Sequence, residues 1–238
     1  MSRPDAVRAV LFDAAGTLIE LREPVGETYA RFAGRFGAEV PPTRLTEAFA
    51  RVFAARRPAV FAEVSRAEAA DRERAWWRAV VDDTFRAADG AALPIPFESC
   101  FSALWSHYAG ADAWRLAPEA RATLERLRAA GLATGVVSNF DQRLEKVLQA
   151  LEIHHLLDVV VVPADAGAAK PDPLIFSMAL ERLGMAGPEV AYVGDRADHD
   201  VAGARGAGLR PITLASLATL ADLPRALGLA PGETTAPR

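Results

Sequence analysis

The chain has 238 residues, 51% apolar and 24% charged, which is enough apolar sequence to bury a sizeable core. Its net charge of −4 gives no reason to expect a nucleic-acid or membrane partner. One cysteine, Cys100, excludes an internal disulfide, no Cys/His cluster has metal-ligand spacing, and no stretch reaches the ~20 apolar residues that span a bilayer. The first residues, MSRPDAVRAV, lack the basic-then-apolar order of a secretion signal, so the expected compartment is the cytoplasm. Lys146 and Lys170 are the only lysines, which leaves two candidates for any step that needs one.

The run VRAVLF (7–12), closed by Asp13, Gly16 and Thr17, predicts a buried strand. From about 18 to 110 apolar residues recur three and four apart, in ETYARFAGRFG, TRLTEAFARVFAARR, SRAEAADRERAWWRAVVDDTFRAA and ESCFSALWSHYAG. These predict helices separated by Pro41-Pro42, Pro58, Pro94 and Pro96, with no strand among them. After Trp114 the pattern alternates. PEARATLERLRAAG, DQRLEKVLQALE, PDPLIFSMALERLG and DVAGARGAG predict helices, and LATGVVSN, DVVVVPAD, EVAYVGD and RPITLA predict strands. Pro173 falls in the first turn of the third of these helices, and Gly184 follows its end. LAPGETTAPR predicts a loose tail.

Strands alternating with helices imply an α/β fold, a Rossmann-like doubly wound parallel sheet covered on both faces. The helical stretch interrupts it after the first strand. The expected division is a core from residues 1–17 and 111–238, with an inserted α-helical cap over 18–110.

Four segments then fall at strand ends or loops on one side of the sheet: Asp13–Thr17, Ser138-Asn139, Lys170–Pro173, and Gly194-Asp195 with Asp200 five residues on. Open α/β sheets bind ligands beyond the carboxyl ends of their strands. If the first and fourth core strands are neighbours, Asp13 and Asp195 face each other and repel unless a proton or cation lies between them. A magnesium ion suits carboxylates combined with a phosphate oxygen. Lys170, Ser138 and Thr17 would then surround the anion from the other side.

These segments resemble the four motifs of the haloacid dehalogenase superfamily, and the helical stretch resembles its type 1 cap. The resemblance covers nearly the whole chain. It implies that Asp13 is a nucleophile forming an aspartyl-phosphate, which water then cleaves. Gly16, Thr17, Ser138 and Asn139 would bind substrate. Lys170 would offset charge, and Asp13, the Ala15 carbonyl, Asp195 and Asp200 would hold Mg2+. The expected partner is a small phosphorylated molecule, with monomer and homodimer both open. Each acid could instead only cap the next helix, Asp200 most readily. His154-His155 reads as a surface pair, and Trp76, Trp77 and Trp105 as packing or a dimer face.

One departure matters. Phosphatases of this family carry a second aspartate two residues after the nucleophile, where this chain has Ala15. Phosphonoacetaldehyde hydrolases share that feature but need a cap lysine, and residues 18–110 contain none. Haloacid dehalogenases have an aromatic residue there and lack the metal-binding Gly-Asp pattern. The segment FDAAGTLIELREPVGETYARFAGRFG (12–37) is most similar to the branch of the fly rhythmically-expressed-gene-two protein. The resulting expectation is a magnesium-dependent phosphohydrolase whose leaving group needs no protein acid or takes its proton from elsewhere, His199 being a candidate. The alternatives are a phosphate- and metal-binding regulatory protein without turnover and, more distantly, a dehalogenase-type hydrolase.

Overall fold

Four consecutive apolar residues form strand β1 (Ala9–Phe12), and all four are fully buried. Val10 and Phe12 pack on one side with Leu124, Val136 and Leu148, and Ala9 and Leu11 on the other with Val137, Phe176 and Tyr192. A strand apolar on both faces belongs at the centre of a parallel sheet covered on both sides. The computed structural model, which describes residues 6–89 and 96–229, has that architecture. Pro94 and the tail beyond Leu229 lie outside the described residues.

After β1 come β2 (Ile19–Leu21) and four helices, α1 (Val25–Arg35), α2 (Pro42–Ala54), α3 (Arg66–Asp89) and α4 (Phe97–His107). Then follow β3 (Trp114–Leu116), α5 (Ala120–Ala129), β4 (Ala133–Val137), α6 (Leu144–Ala150), β5 (Val159–Val161), the short α7 (Pro163–Ala166) and α8 (Pro173–Leu183). The series ends with β6 (Val190–Gly194), α9 (Ala202–Gly206), β7 (Arg210–Thr213) and α10 (Leu223–Ala226). Five strands pair in parallel in the order β5-β4-β1-β6-β7. β1 therefore has β6 as a neighbour, as the convergence of Asp13 and Asp195 requires.

Local chemistry sets the helix ends. Pro173 starts α8, the Asp172 side chain accepts from the Leu174 N–H at 2.9 Å, and Gly184 closes the helix at φ +62°. This is the pattern of proline inside the start and left-handed glycine past the end. Helices α1–α4 keep an apolar cluster of their own, including Tyr29, Phe32, Leu45, Val81, Phe85 and Phe101.

The structure corrects the expectation of no strand between about residues 18 and 110. Ile19–Leu21 pairs antiparallel with Trp114–Leu116, and Glu20 faces Arg115 across the ribbon in a 3.0 Å ion pair. Three residues are too few for an alternating pattern to register. The helical block thus leaves and re-enters the sheet region through two paired strands. DVVVVPAD is strand only through Val161, after which Pro163 starts α7. DVAGARGAG is approached through a wide turn over Ala197–Val201 with π-type bonding. Among the described residues, no helix is long and apolar enough to cross a membrane.

Candidate active site

Asp13 directly follows β1, where its N–H donates to the Val193 carbonyl at 2.9 Å and keeps it in register beside the end of β6. The chain then folds into a tight turn. The N–H groups of Thr17, Leu18 and Ile19 converge on the Ala14 carbonyl at 3.2, 2.9 and 3.0 Å, and the Gly16 N–H returns to Ile19. Gly16 has φ +88°, and a Cβ on it would lie 2.9 Å from Asp195 Oδ2. Glycine satisfies both the backbone angle and the close approach. Gly194 permits only a close approach, to Asp200, whose side chain lies 2.4 Å from where a Cβ would be.

Lys170 lies 3% exposed at the centre of the site. Its Nζ is 2.6 Å from Asp200 Oδ1 and 2.8 Å from Asp13 Oδ1, and it donates to the Tyr192 hydroxyl at 2.9 Å. The Asp13 contact is an ion pair without hydrogen-bond alignment, so Oδ1 has no hydrogen-bond donor of its own. Lys146 is exposed on α6, leaving Lys170 as the lysine of this site.

Ligand oxygens of Asp13, Asp195 and Asp200 come within 4.8 Å of one another, so three carboxylates face a single ammonium. The Asp195 carboxyl is held above the usual range, first by desolvation and then by the charges of Asp13 and Asp200. Excess negative charge on hard oxygen donors fits a small divalent cation. Asp200 is more occupied than the other two. Its Oδ1 takes Lys170 and Tyr192, and its Oδ2 accepts from the Arg196 N–H at 3.0 Å. The inward turn of its side chain sets it apart from a simple helix cap.

The remaining expected residues separate into two groups. Thr17 is buried with no hydrogen-bond partner for its hydroxyl, and Ser138 is buried with its oxygen accepting from the Phe140 N–H at 3.3 Å. Both keep a hydroxyl proton to donate. Asn139, expected to bind substrate, instead has its amide engaged at both ends. Lys170 N–H donates to Oδ1 at 2.7 Å, and Nδ2 donates to the Lys170 carbonyl at 2.9 Å, so Asn139 braces the lysine loop. Ala15 is exposed on the turn. His199 lies 3.4 Å from Asp198 on the π-type turn, and His154 is partly exposed 3.9 Å from Glu145.

Sequence reading missed Tyr192, whose buried hydroxyl touches Lys170, Asp200 and the Val137 carbonyl. The available signal was a tyrosine within an apolar central strand, since a buried phenol needs a polar partner. It also missed Asp141 and Arg143, which follow Ser138-Asn139 and carry no motif.

A model of haloacid dehalogenase-like hydrolases matches residues 7–208. The chain is 36% identical over 204 residues to haloacid dehalogenase-like hydrolase domain-containing protein 3 of Danio rerio, covering 86% of this chain and 83% of that one. It is 29% identical over 211 residues to the rhythmically expressed gene 2 protein of Drosophila melanogaster, covering 84% and 80%. A solved dehalogenase with an intermediate complex superposes with a TM-score of 0.64 at 24% identity, covering 97% of this chain and all of that one, which bears on the fold alone. With its buried aspartate–lysine pair at the carboxyl ends of a parallel sheet, the chain belongs to the haloacid dehalogenase-like hydrolase family.

Proposed function

We propose that the chain is a magnesium-dependent phosphohydrolase acting through an aspartyl-phosphate on Asp13. The observation that carries this reading is the convergence of Asp13, Asp195 and Asp200 on one buried lysine, beside an unpartnered Thr17 hydroxyl. Asp13, Asp195 and the Ala15 carbonyl would hold the ion, with Asp200 behind them. When bound, it would supply a Lewis acid that neutralises charge on the phosphoryl oxygens.

The chain's own groups account for the rest. A carboxylate oxygen of Asp13 attacks phosphorus, a P–O bond to Asp13 forms, and the bond to the leaving oxygen breaks. Thr17 and Ser138 donate to the non-bridging oxygens, and Lys170 offsets their growing charge. Water then attacks the aspartyl-phosphate, which releases inorganic phosphate and restores Asp13. The leaving oxygen draws its proton from solvent, because position 15 offers only a methyl group. The helical block would act as a lid, carried on the β2–β3 ribbon, that excludes water from the crevice.

The acidic trio favours this reading over metal-free dehalogenation, in which a second and third carboxylate around the nucleophile would only oppose attack. The test is phosphate release from aryl, acyl and alkyl phosphates, with magnesium and with chelator, in wild type and Asp13→Asn. Magnesium-dependent release that disappears in Asp13→Asn is the expected result. Chloride release from 2-chloropropionate in chelator would overturn it. Phosphate binding without any turnover would establish the regulatory alternative.

A further inference from the structure

The loop that carries Ser138 and Asn139 continues into a polar junction with the helical block. Arg143, its side chain 10% exposed, donates from Nη2 to Asp141 Oδ2 at 2.6 Å and from Nε to Asp141 Oδ1 at 2.9 Å. This fork places its guanidinium 3.7 Å from the ring centroid of Trp105 on α4 and 5.4 Å from that of Trp77 on α3. One residue earlier, Gln142 donates from its backbone and side-chain amides to Glu73 Oε2 on α3, both at 3.2 Å. Glu73 is 2% exposed, and its Oε1 is buried without a hydrogen-bond partner.

A desolvated ion pair and a half-satisfied carboxyl stabilise a permanent contact less well than apolar side chains of the same size. They suit a contact that forms and breaks, because both faces return to water at low cost. We propose that Glu73 and the Asp141–Arg143 pair form a latch that fastens the helical block to this loop and so positions Ser138 for an anionic substrate. The positioning half rests on the phosphohydrolase reading; the latch itself does not.

The latch is proton-sensitive. The Glu73 carboxyl is pushed up to about 7, by desolvation first and by Asp141 second, against the pull of Gln142 and Arg143. The arginines of this helix and of the neighbouring α2 end are committed elsewhere. On its own helix Arg66 turns to Glu145 and Asp165, the latter on α7, and Arg74 lies over Trp105. Arg78 pairs with Glu98 of α4, and Arg56, just past α2, pairs with Asp83. With its pKa raised when latched, Glu73 binds its proton more tightly in the fastened state. The latch is therefore favoured as pH falls below about 7 and weakens as pH rises through it. From pH 8 to pH 6 the ratio of fastened to open forms rises about tenfold.

The test uses the full chain labelled with 5-fluorotryptophan, with Trp77 and Trp105 assigned by Trp→Phe variants. Fluorine spectra are recorded from pH 5.5 to 8.5 at constant magnesium chloride, and binding of sulfate, whose charge is constant over that range, is measured in parallel. Both tryptophan signals should shift together with a midpoint near 7 in wild type. In Glu73→Gln, which is neutral and close in shape, they should stay at the low-pH position throughout. Arg143→Ala should remove the fastened signals and weaken sulfate binding about tenfold or more. Tryptophan signals that titrate unchanged in Glu73→Gln would overturn the latch. Unaltered sulfate affinity in Arg143→Ala would overturn its positioning of the loop. If wild type binds no sulfate, the phosphate-site reading fails, while the fluorine titration still decides the latch.

Discussion

Tyr192 accepts a 2.9 Å hydrogen bond from Lys170 while its own hydroxyl proton faces the Val137 carbonyl and Asp200. Burial, followed by the charges of Asp13 and Asp200, holds the phenol well above its ordinary pKa, so it stays neutral and able to donate. Tyr192→Phe would leave a buried carbonyl and one ammonium proton without that partner. The expected cost is about 1–3 kcal/mol, seen as a melting temperature lower by several degrees. Turnover should fall less than in Lys170→Met, because the lysine keeps both carboxylates. An unchanged melting curve would show that the hydroxyl contributes no net stability.

Thr17 poses the opposite case. Its hydroxyl is buried without a partner, which costs stability unless a ligand completes it. Thr17→Val keeps the branched shape and removes only the orphaned group. Stability should hold or rise by about 1 kcal/mol, while KM for a phosphate ester rises about tenfold. Thermal melts read the first and steady-state kinetics the second. Lower stability with unaltered KM would make the threonine structural.

For the acidic trio, metal removal gives the sign. The Asp195 carboxyl is raised in the folded state, so the metal-free protein loses stability as pH rises through that folded value. At neutral pH a bound cation should restore it, by about 2.7 kcal/mol at a hundredfold excess over Kd. Asp195→Asn removes one of the repelling charges. Its metal-free form should melt higher than metal-free wild type, and magnesium should stabilise it little and support little turnover. Differential scanning calorimetry with and without chelator tests both arms, and equal magnesium stabilisation in the two proteins would remove Asp195 from the metal set.

Much of this was legible in the sequence, for identifiable reasons. The central strands bury both faces, so they read as short apolar runs, and α1–α4 carry helical spacing between prolines. Asp13 and Asp195 directly follow the neighbouring strands β1 and β6, where backbone direction brings them together, and Lys170 announced itself as one of only two lysines. What escaped depends on contacts between distant segments. Ile19–Leu21 is a strand only because Trp114–Leu116 lies beside it. The π-type turn at Ala197–Val201 accompanies the inward turn of Asp200 toward Lys170. Trp77 and Trp105 read as packing residues, and their stacking on Arg143 spans 66 and 38 residues of sequence separation.

In the proposed reaction the exposed methyl group of Ala15, two residues beyond Asp13, supplies no acid. With no acid at this position, the leaving group must depart on its own stability as an anion. A sugar alkoxide is a strong base and leaves poorly, whereas an aryl or acyl phosphate releases a weak base. A general acid contributes about 10²–10⁴-fold, and its absence should fall mainly on the poor leaving groups. The Nε2 of His199, the substitute weighed from the sequence, lies 3.4 Å from Asp198 on the π-type turn. The phosphoryl-transfer step should therefore depend steeply on leaving-group pKa, with simple alkyl phosphates nearly inert. The second step lacks its usual base as well, so aspartyl-phosphate should accumulate. Because the Ala15 side chain is exposed, Ala15→Asp can enter without burying a charge, and it should flatten the dependence and speed breakdown of the intermediate. Single-turnover kinetics on aryl phosphates spanning several pKa units, in both proteins, measures the two slopes. Equal slopes would mean that another group already supplies the proton, and His199→Asn would then be the variant to compare.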